Sequence, residues 1–357
     1  MAQFSDLFPS RYQHALEGEL RETLAGQEGL FYNMLLYQLG WIDEQGVPRH
    51  SPSTAFGAGP SGQRLHPVLC LLSCEALLGE FTPALPAAAA IELVHNFRLI
   101  HEDIQSGNPN RGQHPTVWWI WGPGQAINAG DGMHALARLA LMRLQDRGLS
   151  VSRVLKALRL LDQSCLSMCE GQHLDLAFQE RLDVGVDAYF KMVAGKTGAL
   201  MSCALGLGAL VATEDDKVVE AFKECGKNLG IAWQIREDIQ DLSFDYAQDR
   251  QGSAGEQALS SDVLNKKKLL PIVYTLESGD LRTKRELGNI YFKRVLEPQD
   301  VQQIVNILNE RLALEYAQER ARDYCRTAME SLGGVGLSLW AREELEKLCQ
   351  HIVAGDG

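Results

Sequence analysis

The spacing of its apolar residues most limits the folds open to this chain. Apolar positions recur every three or four residues over 67–78, 84–105, 126–144, 151–179, 184–210 and 215–245, then again over 266–276, 300–332 and 338–352. That recurrence places one continuous stripe on an α-helix. Residues 5–40 read as helix too, with charges set among Leu and Tyr at the same spacing, ending before Gly40. No stretch alternates Val, Ile or Thr with polar residues as a half-buried strand does, and no strand–helix–strand order appears. Self-similarity at a solenoid's period is also absent. The expectation is an all-α protein, one domain over 1–357, with a core of long helices. A chain of 357 residues with 45% hydrophobic content has the material for such a core.

A formal net charge of -12 argues against a nucleic-acid-binding surface, which needs the opposite sign. No run of 18 or more apolar residues occurs, so no membrane-spanning helix is expected. The first residues lack the basic-then-apolar layout of a signal peptide, which implies a cytoplasmic protein. Eight cysteines are present, but Cys70 and Cys74, like Cys165 and Cys169, stand four apart in helical patterns and no pair has CxxC spacing. Buried free thiols are therefore expected. The longest Gly/Pro/Ser-rich loop is 43–62, and a second soft segment, 246–261, is a candidate lid.

Residues 91–131 form the centre of the functional reading: an apolar helix meets Glu102-Asp103, then a polar loop, then an aromatic-rich segment ending at Asp131. A second acidic group stands at Glu237, Asp238 and Asp241, after the apolar run 229–235. On a helix Glu237 and Asp241 share a face, with Asp238 beside them. Carboxylates this crowded repel unless a cation compensates, and Mg²⁺ takes one or two carboxylates together with substrate phosphate. The first group has less: Glu102 and Asp103, with Ser106 where a third carboxylate would stand. Arg111, Lys196 and Lys267 are suited to a diphosphate.

The order of these motifs resembles the trans-isoprenyl diphosphate synthases, the polyprenyl synthetase family with the class I isoprenoid synthase fold. Gln63, Arg64, Leu65, His66 and Pro67 resemble that family's Gly-Gly-Lys-Arg-Leu-Arg-Pro. Residues 95–103 resemble the approach to its first Asp-rich motif, with Pro115-Thr116 and Gly130-Asp131 after it. Gly171-Gln172 with Asp175, Lys196-Thr197, Trp233-Gln234-Ile235 leading into 237–241, and Lys267 with Pro271 match later motifs. The resemblance implies long helices around a central cavity, a homodimer, and Mg²⁺, three ions in the family, bridging an allylic prenyl diphosphate. It implies metal carboxylates at Glu102, Asp103, Glu237, Asp238 and Asp241. Arg111, Lys196 and Lys267 would clasp the diphosphate, and Gln234 would sit near the reacting carbon.

The departures fall on the second substrate, isopentenyl diphosphate. Where the family places cations, this chain has Gln63, His66 and Gly112; Arg64 and His95 remain as candidate diphosphate ligands. Each lost charged hydrogen bond costs about 1.5–3 kcal/mol. Arg98 replaces a small residue below the acidic pair. The preferred expectation is thus a Mg²⁺-dependent enzyme that ionises one allylic diphosphate and cyclises or quenches the cation, as terpene synthases do. The alternatives are a prenyltransferase making a short-chain product such as farnesyl or geranylgeranyl diphosphate, and a non-catalytic partner subunit. Phe97, Trp118, Trp119, Trp121 and Trp233 are candidate cation-facing aromatics, with Gln172 and Thr197 in the pocket. Phe97, five residues before Glu102, suggests a short product pocket.

Overall fold

The computed structural model describes residues 10–49, 64–112, 114–242 and 261–354. Gln63, most of the 43–62 loop and the candidate lid lie outside them. The described chain is all-α. Its extended structure is a two-residue hairpin, β1 (Asn110–Arg111) against β2 (His114–Pro115), and one isolated bridge, Ile42 to Pro48. It divides into two compact units, the first made of Met1–Cys165, Leu200–Gly226 and Met329–Leu348, and the second of Leu166–Ala199, Lys227–Ala328 and Cys349–Gly357.

The first unit is built on α4 (Leu85–Ser106), with Ala87 to Ala90, Ile91, Leu93 and Val94 buried. Its small residues let neighbours approach closely. α1 (Ser10–Thr23), α3 (Leu65–Leu78) and α6 (Pro123–Met142) pack on it. Gly130 of α6 accommodates the His101 ring of α4: a Cβ there would lie 2.3 Å from His101 Nε2. The predicted helix over 5–40 is in fact α1 and α2 (Leu30–Gln38), separated where Gly26 and Gly29 adopt positive φ. The short α5 (Val117–Trp121) precedes α6.

The second unit holds the later part of α7 (Val151–Phe178), then α8 (Val186–Val193) and a π-helical turn, Ala194–Gly198, before α9 (Ala199–Ala212) continues into the first unit. It also holds the later part of α10 (Asp216–Leu242), then α11 (Ser261–Leu264), α12 (Leu270–Ser278), α13 (Leu281–Tyr291), α14 (Pro298–Glu310) and most of α15 (Ala313–Ser331), while α16 (Leu339–Ala354) ends in it. One cluster joins Phe178, Tyr189, Met192, Ile231, Ile235, Leu270 and Val273. The predicted helix over 300–332 breaks between α14 and α15, where Leu312 has φ 53°. α13 lies outside the helices that the apolar spacing marks; Asp280 caps it by accepting from the Thr283 backbone N–H at 2.8 Å.

One helical stretch, Val186–Ala212, does reach the length and hydropathy of a membrane span, and 72% of its most apolar window is buried within the chain. All eight thiols are free, and Cys169 is exposed.

Candidate active site

In the second unit, the π turn bulges the helix at Lys196-Thr197, a device that re-aims side chains and is frequent at functional sites. Gly171 on α7 makes room for it: a Cβ would stand 2.4 Å from the Lys196 backbone nitrogen. Lys196 Nζ donates to Asp175 Oδ2 at 2.7 Å, and both side chains are buried. Thr197 Oγ1 donates to Gln234 Oε1 at 2.6 Å, and Gln234 Nε2 donates to Asp238 Oδ1 at 3.0 Å. Asp238 Oδ2 accepts twice more, from the Tyr189 hydroxyl at 2.6 Å and the Leu270 backbone N–H at 2.7 Å.

Asp238 is therefore the hub of a buried network. Burial pushes its carboxyl up to about 7, against the pull of those three donors. Asp175, Tyr189, Lys196, Gln234, Asp238 and Lys267 line a cavity of about 20 Å³, room for a water-sized group. Lys268, next to Lys267, is buried against the Tyr291 ring at 4.6 Å, and its ammonium donates to the Gln179 and Lys266 carbonyls; burial lowers it to about 8. Glu237 on α10 is partly exposed, and Asp241 lies one turn on. Trp233 packs under the Arg236 guanidinium, 4.9 Å from the ring centre.

In the first unit, α4 carries His95, Phe97, Arg98, Glu102 and Asp103, and the hairpin carries Arg111. Arg111 donates to Asp103 at 2.7 Å and lies 3.9 Å from Glu102; Arg98 donates to Glu102 at 3.1 Å. Desolvation raises the Asp103 pKa even though Arg111 lowers it. Gly112 follows with φ 59°, a left-handed turn position that glycine adopts without strain. Arg64 is buried between Glu17 at 3.0 Å and Glu92 at 3.2 Å. The His66 and His95 rings lie 4.6 Å apart. Burial, with the nearby Arg98 charge, pushes His66 down to about 3, so it is neutral at physiological pH.

The sequence model of the polyprenyl synthetase family matches residues 54–308. A geranylgeranyl diphosphate synthase of Mycobacterium tuberculosis is 37% identical over 278 residues, 78% of this chain and 72% of that protein. One of Saccharolobus solfataricus is 33% identical over 84% of this chain and 87% of its own. Among solved structures, a polyprenyl synthetase from Streptomyces coelicolor A3(2) superposes with a TM-score of 0.84 at 29% identity, covering 98% of this chain and 100% of that one. This chain belongs to the polyprenyl synthetase family.

For this polyprenyl synthetase family member, the structure gathers Lys196, Lys267, Gln234 and Asp238 around one cavity, with Thr197 bonded to Gln234. Among the described residues, no three His, Cys, Asp or Glu side chains converge into a metal cage. Asp238 is turned inward to its three donors, leaving Glu237 and Asp241 as the adjoining carboxylates. That donor set fits a Mg²⁺ ion, which needs one or two carboxylates when phosphate and water complete its shell. Arg64 is enclosed by carboxylates rather than presented to a ligand. Trp118 donates from Nε1 to the Asn108 carbonyl at 2.7 Å and secures the loop before the hairpin; Trp121 packs edge-on against Tyr37 at 5.1 Å. Phe97 stacks on His134 of α6 at 4.9 Å. No sequence signal marks Tyr189, which fixes Asp238: a tyrosine in an apolar helical run carries no sign of its partner.

Proposed function

We propose that this chain is a prenyltransferase of isoprenoid biosynthesis that joins isopentenyl diphosphate to an allylic diphosphate and yields a short-chain product of farnesyl or geranylgeranyl size. The observation that carries this reading is the naming of relatives aligned over most of the chain: the similar proteins of Mycobacterium tuberculosis and Saccharolobus solfataricus are geranylgeranyl diphosphate synthases. It displaces the cyclising enzyme favoured by the sequence, since those relatives are diphosphate synthases and do not support a terpene cyclase.

In this reaction the allylic C–O bond breaks and its electron pair leaves with diphosphate. The alkene of the second substrate attacks, and the adduct loses a proton. Glu237 and Asp241 in the second unit, and Glu102 and Asp103 in the first, are the residues that would hold Mg²⁺, which would supply charge neutralisation for a departing diphosphate. Lys196, fixed by Asp175, and Lys267 offer positive charge to a diphosphate at the second unit's cavity, and Arg111 offers it beside Asp103 in the first. Gln234, oriented from both ends by Thr197 and Asp238, presents a fixed amide dipole to the reacting carbon. Asp238 acts by positioning that amide.

The protein works as a homodimer in this reading. Leu139 and Met142 on α6 and Val151 and Leu155 on α7 are exposed apolar residues of the first unit that a second copy would cover. Light scattering during size exclusion tests it: a dimer is expected, and a monomer at micromolar concentration refutes it.

The reaction is tested by incubating purified protein and Mg²⁺ with geranyl, farnesyl or geranylgeranyl diphosphate, each with and without isopentenyl diphosphate. Longer prenyl diphosphates that need the second substrate are expected. Hydrocarbon or alcohol formed without it overturns the reading.

A further inference from the structure

Three consecutive lysines, Lys266, Lys267 and Lys268, stand in the loop between α11 and α12, and each has different surroundings. Lys267 lines the cavity with Lys196, Gln234 and Asp238. Lys266 turns to the end of α13, where its ammonium donates to the Lys293 carbonyl. Lys268 is the most enclosed, only 2% exposed. Its Nζ donates to the Gln179 carbonyl, just past α7, at 2.9 Å and to the Lys266 carbonyl at 3.1 Å, and it lies 4.6 Å from the centre of the Tyr291 ring. A buried ammonium is costly unless its donors are met. Here two carbonyls and a ring face meet it, and a carbonyl at a helix C-terminus carries partial negative charge. Its lowered pKa of about 8 still leaves the group charged at neutral pH.

The loop backbone needs such a hold. Lys266 has φ 57°, a left-handed conformation that residues other than glycine rarely adopt. Lys268 bonds back to the carbonyl of that residue, and on the far side the Leu270 N–H donates to Asp238 at 2.7 Å. Lys267 stands between these two fixed points. We propose that Lys268 is a positioning residue for Lys267: it ties the strained loop to the end of α7 and so sets where the Lys267 ammonium meets a diphosphate. The proposal rests on the reading above, in which Lys267 offers charge to a diphosphate at this cavity.

The test compares the wild-type chain with Lys268→Gln, Lys268→Arg, Lys267→Gln and the double variant Lys267→Gln/Lys268→Gln. Calorimetric titration with inorganic pyrophosphate in Mg²⁺ gives the affinity of each, and kcat/KM for farnesyl diphosphate with isopentenyl diphosphate gives the rate. Lys268→Gln should weaken pyrophosphate binding and lower kcat/KM by roughly tenfold, a misplaced rather than absent charged hydrogen bond. Lys268→Arg, which can still donate to both carbonyls, should stay within about threefold of wild type. In the Lys267→Gln background the second change should cost less than about a further twofold, because a residue that acts only through Lys267 has nothing left to act on. Unchanged affinity in Lys268→Gln overturns the proposal. So does an Arg variant as weak as the Gln variant, or a double variant in which the two losses multiply. If Lys268→Gln fails to fold by circular dichroism, Tyr291→Leu, which removes the ring beside the ammonium, takes its place: it should weaken binding in wild type and not in Lys267→Gln, and equal losses in both overturn the proposal. If wild type elongates nothing while pyrophosphate affinities follow this order, the prenyltransferase reading fails and the role of Lys268 stands.

Discussion

Asp238 separates two accounts of the second acidic motif. If it were a metal ligand, removing it would weaken Mg²⁺ binding and leave the fold intact. In the structure its carboxylate instead satisfies the Tyr189 hydroxyl, the Gln234 amide and the Leu270 N–H within the core. Asp238→Ala orphans three buried donors at about 1–3 kcal/mol each. Removing a carboxylate that burial already disfavours offsets part of this, as does water entering the neighbouring cavity of about 20 Å³. A net loss of about 2–4 kcal/mol remains, on the order of 3–6 °C in Tm for a chain of this size. Asp238→Asn is the sharper variant. Its oxygen still accepts from Tyr189 and Leu270, but its NH₂ confronts Gln234 Nε2. The Gln234 amide must then turn over, and Thr197 becomes its acceptor. Stability should fall by less than about 1.5 kcal/mol, yet kcat should fall at least about tenfold, because the dipole offered to substrate is inverted. Asp241→Asn should show the reverse: Tm unchanged, with a higher Mg²⁺ concentration needed for half-maximal rate. Thermal unfolding in EDTA and Mg²⁺ titrations of rate read these out. If Asp238→Ala leaves Tm unchanged and shifts the Mg²⁺ requirement more than Asp241→Asn does, the hub assignment is wrong.

Other expectations concern single contacts. His66 is depressed in the folded state relative to about 6.5 unfolded, so its contribution to stability is present above that value and is lost as pH falls toward 3; His66→Asn should flatten urea-unfolding stability over that window, and an NMR titration giving a pKa near 6.5 would refute it. Gly171→Ala forces a methyl onto the Lys196 backbone and should cost about 1–3 kcal/mol together with most of the activity, whereas full activity would mean that the close approach is not required. Phe97→Ala opens the space beside His134 and should lengthen the product by at least one isoprene unit, seen by chromatography of dephosphorylated products; an unchanged product profile removes Phe97 from chain-length control.

Much of this was legible in the sequence because helical periodicity is local and strong. α3, α4, α6, α7 and α10 lie close to where apolar spacing places them. The breaks were less legible. The π turn at Ala194–Gly198 lies inside an unbroken apolar pattern, and it depends on how Gly171 lets α7 approach, a tertiary fact. Leu312 turns the chain with neither Gly nor Pro at its position. The separation of α1 from α2 did carry a signal, since Gly26 and Gly29 bracket it. Lys196, Thr197, Gln234 and Asp238 each stand in a motif of the sequence, but what each bonds to is not legible there. Spacing along one helix gives a face; only the neighbouring Tyr189 and Leu270 determine that the face carrying Asp238 is an inner one.

That outcome changes the electrostatic argument for metal. Three adjacent carboxylates suggested a compensating cation, but the chain divides them: Asp238 accepts from three neutral donors in the core, while Glu237 and Asp241 stand one turn apart beside it. Crowding alone is therefore weaker support for Mg²⁺ than that pair is. The first motif meets its own cost differently. Glu102 and Asp103 lie in the last turn of α4, which Gly107 closes in the left-handed conformation and which has no basic residue of its own. A helix C-terminus carries partial negative charge and disfavours carboxylates. Arg98 from the preceding turn and Arg111 from the hairpin offset both acids. A third carboxylate at 106 would add charge at the end of the helix, where the dipole opposes it most; Ser106 adds none. The reduced motif and the introduced arginine are thus one electrostatic adjustment: with Ser106 in place of a third acid, Arg98 and Arg111 together face two carboxylates.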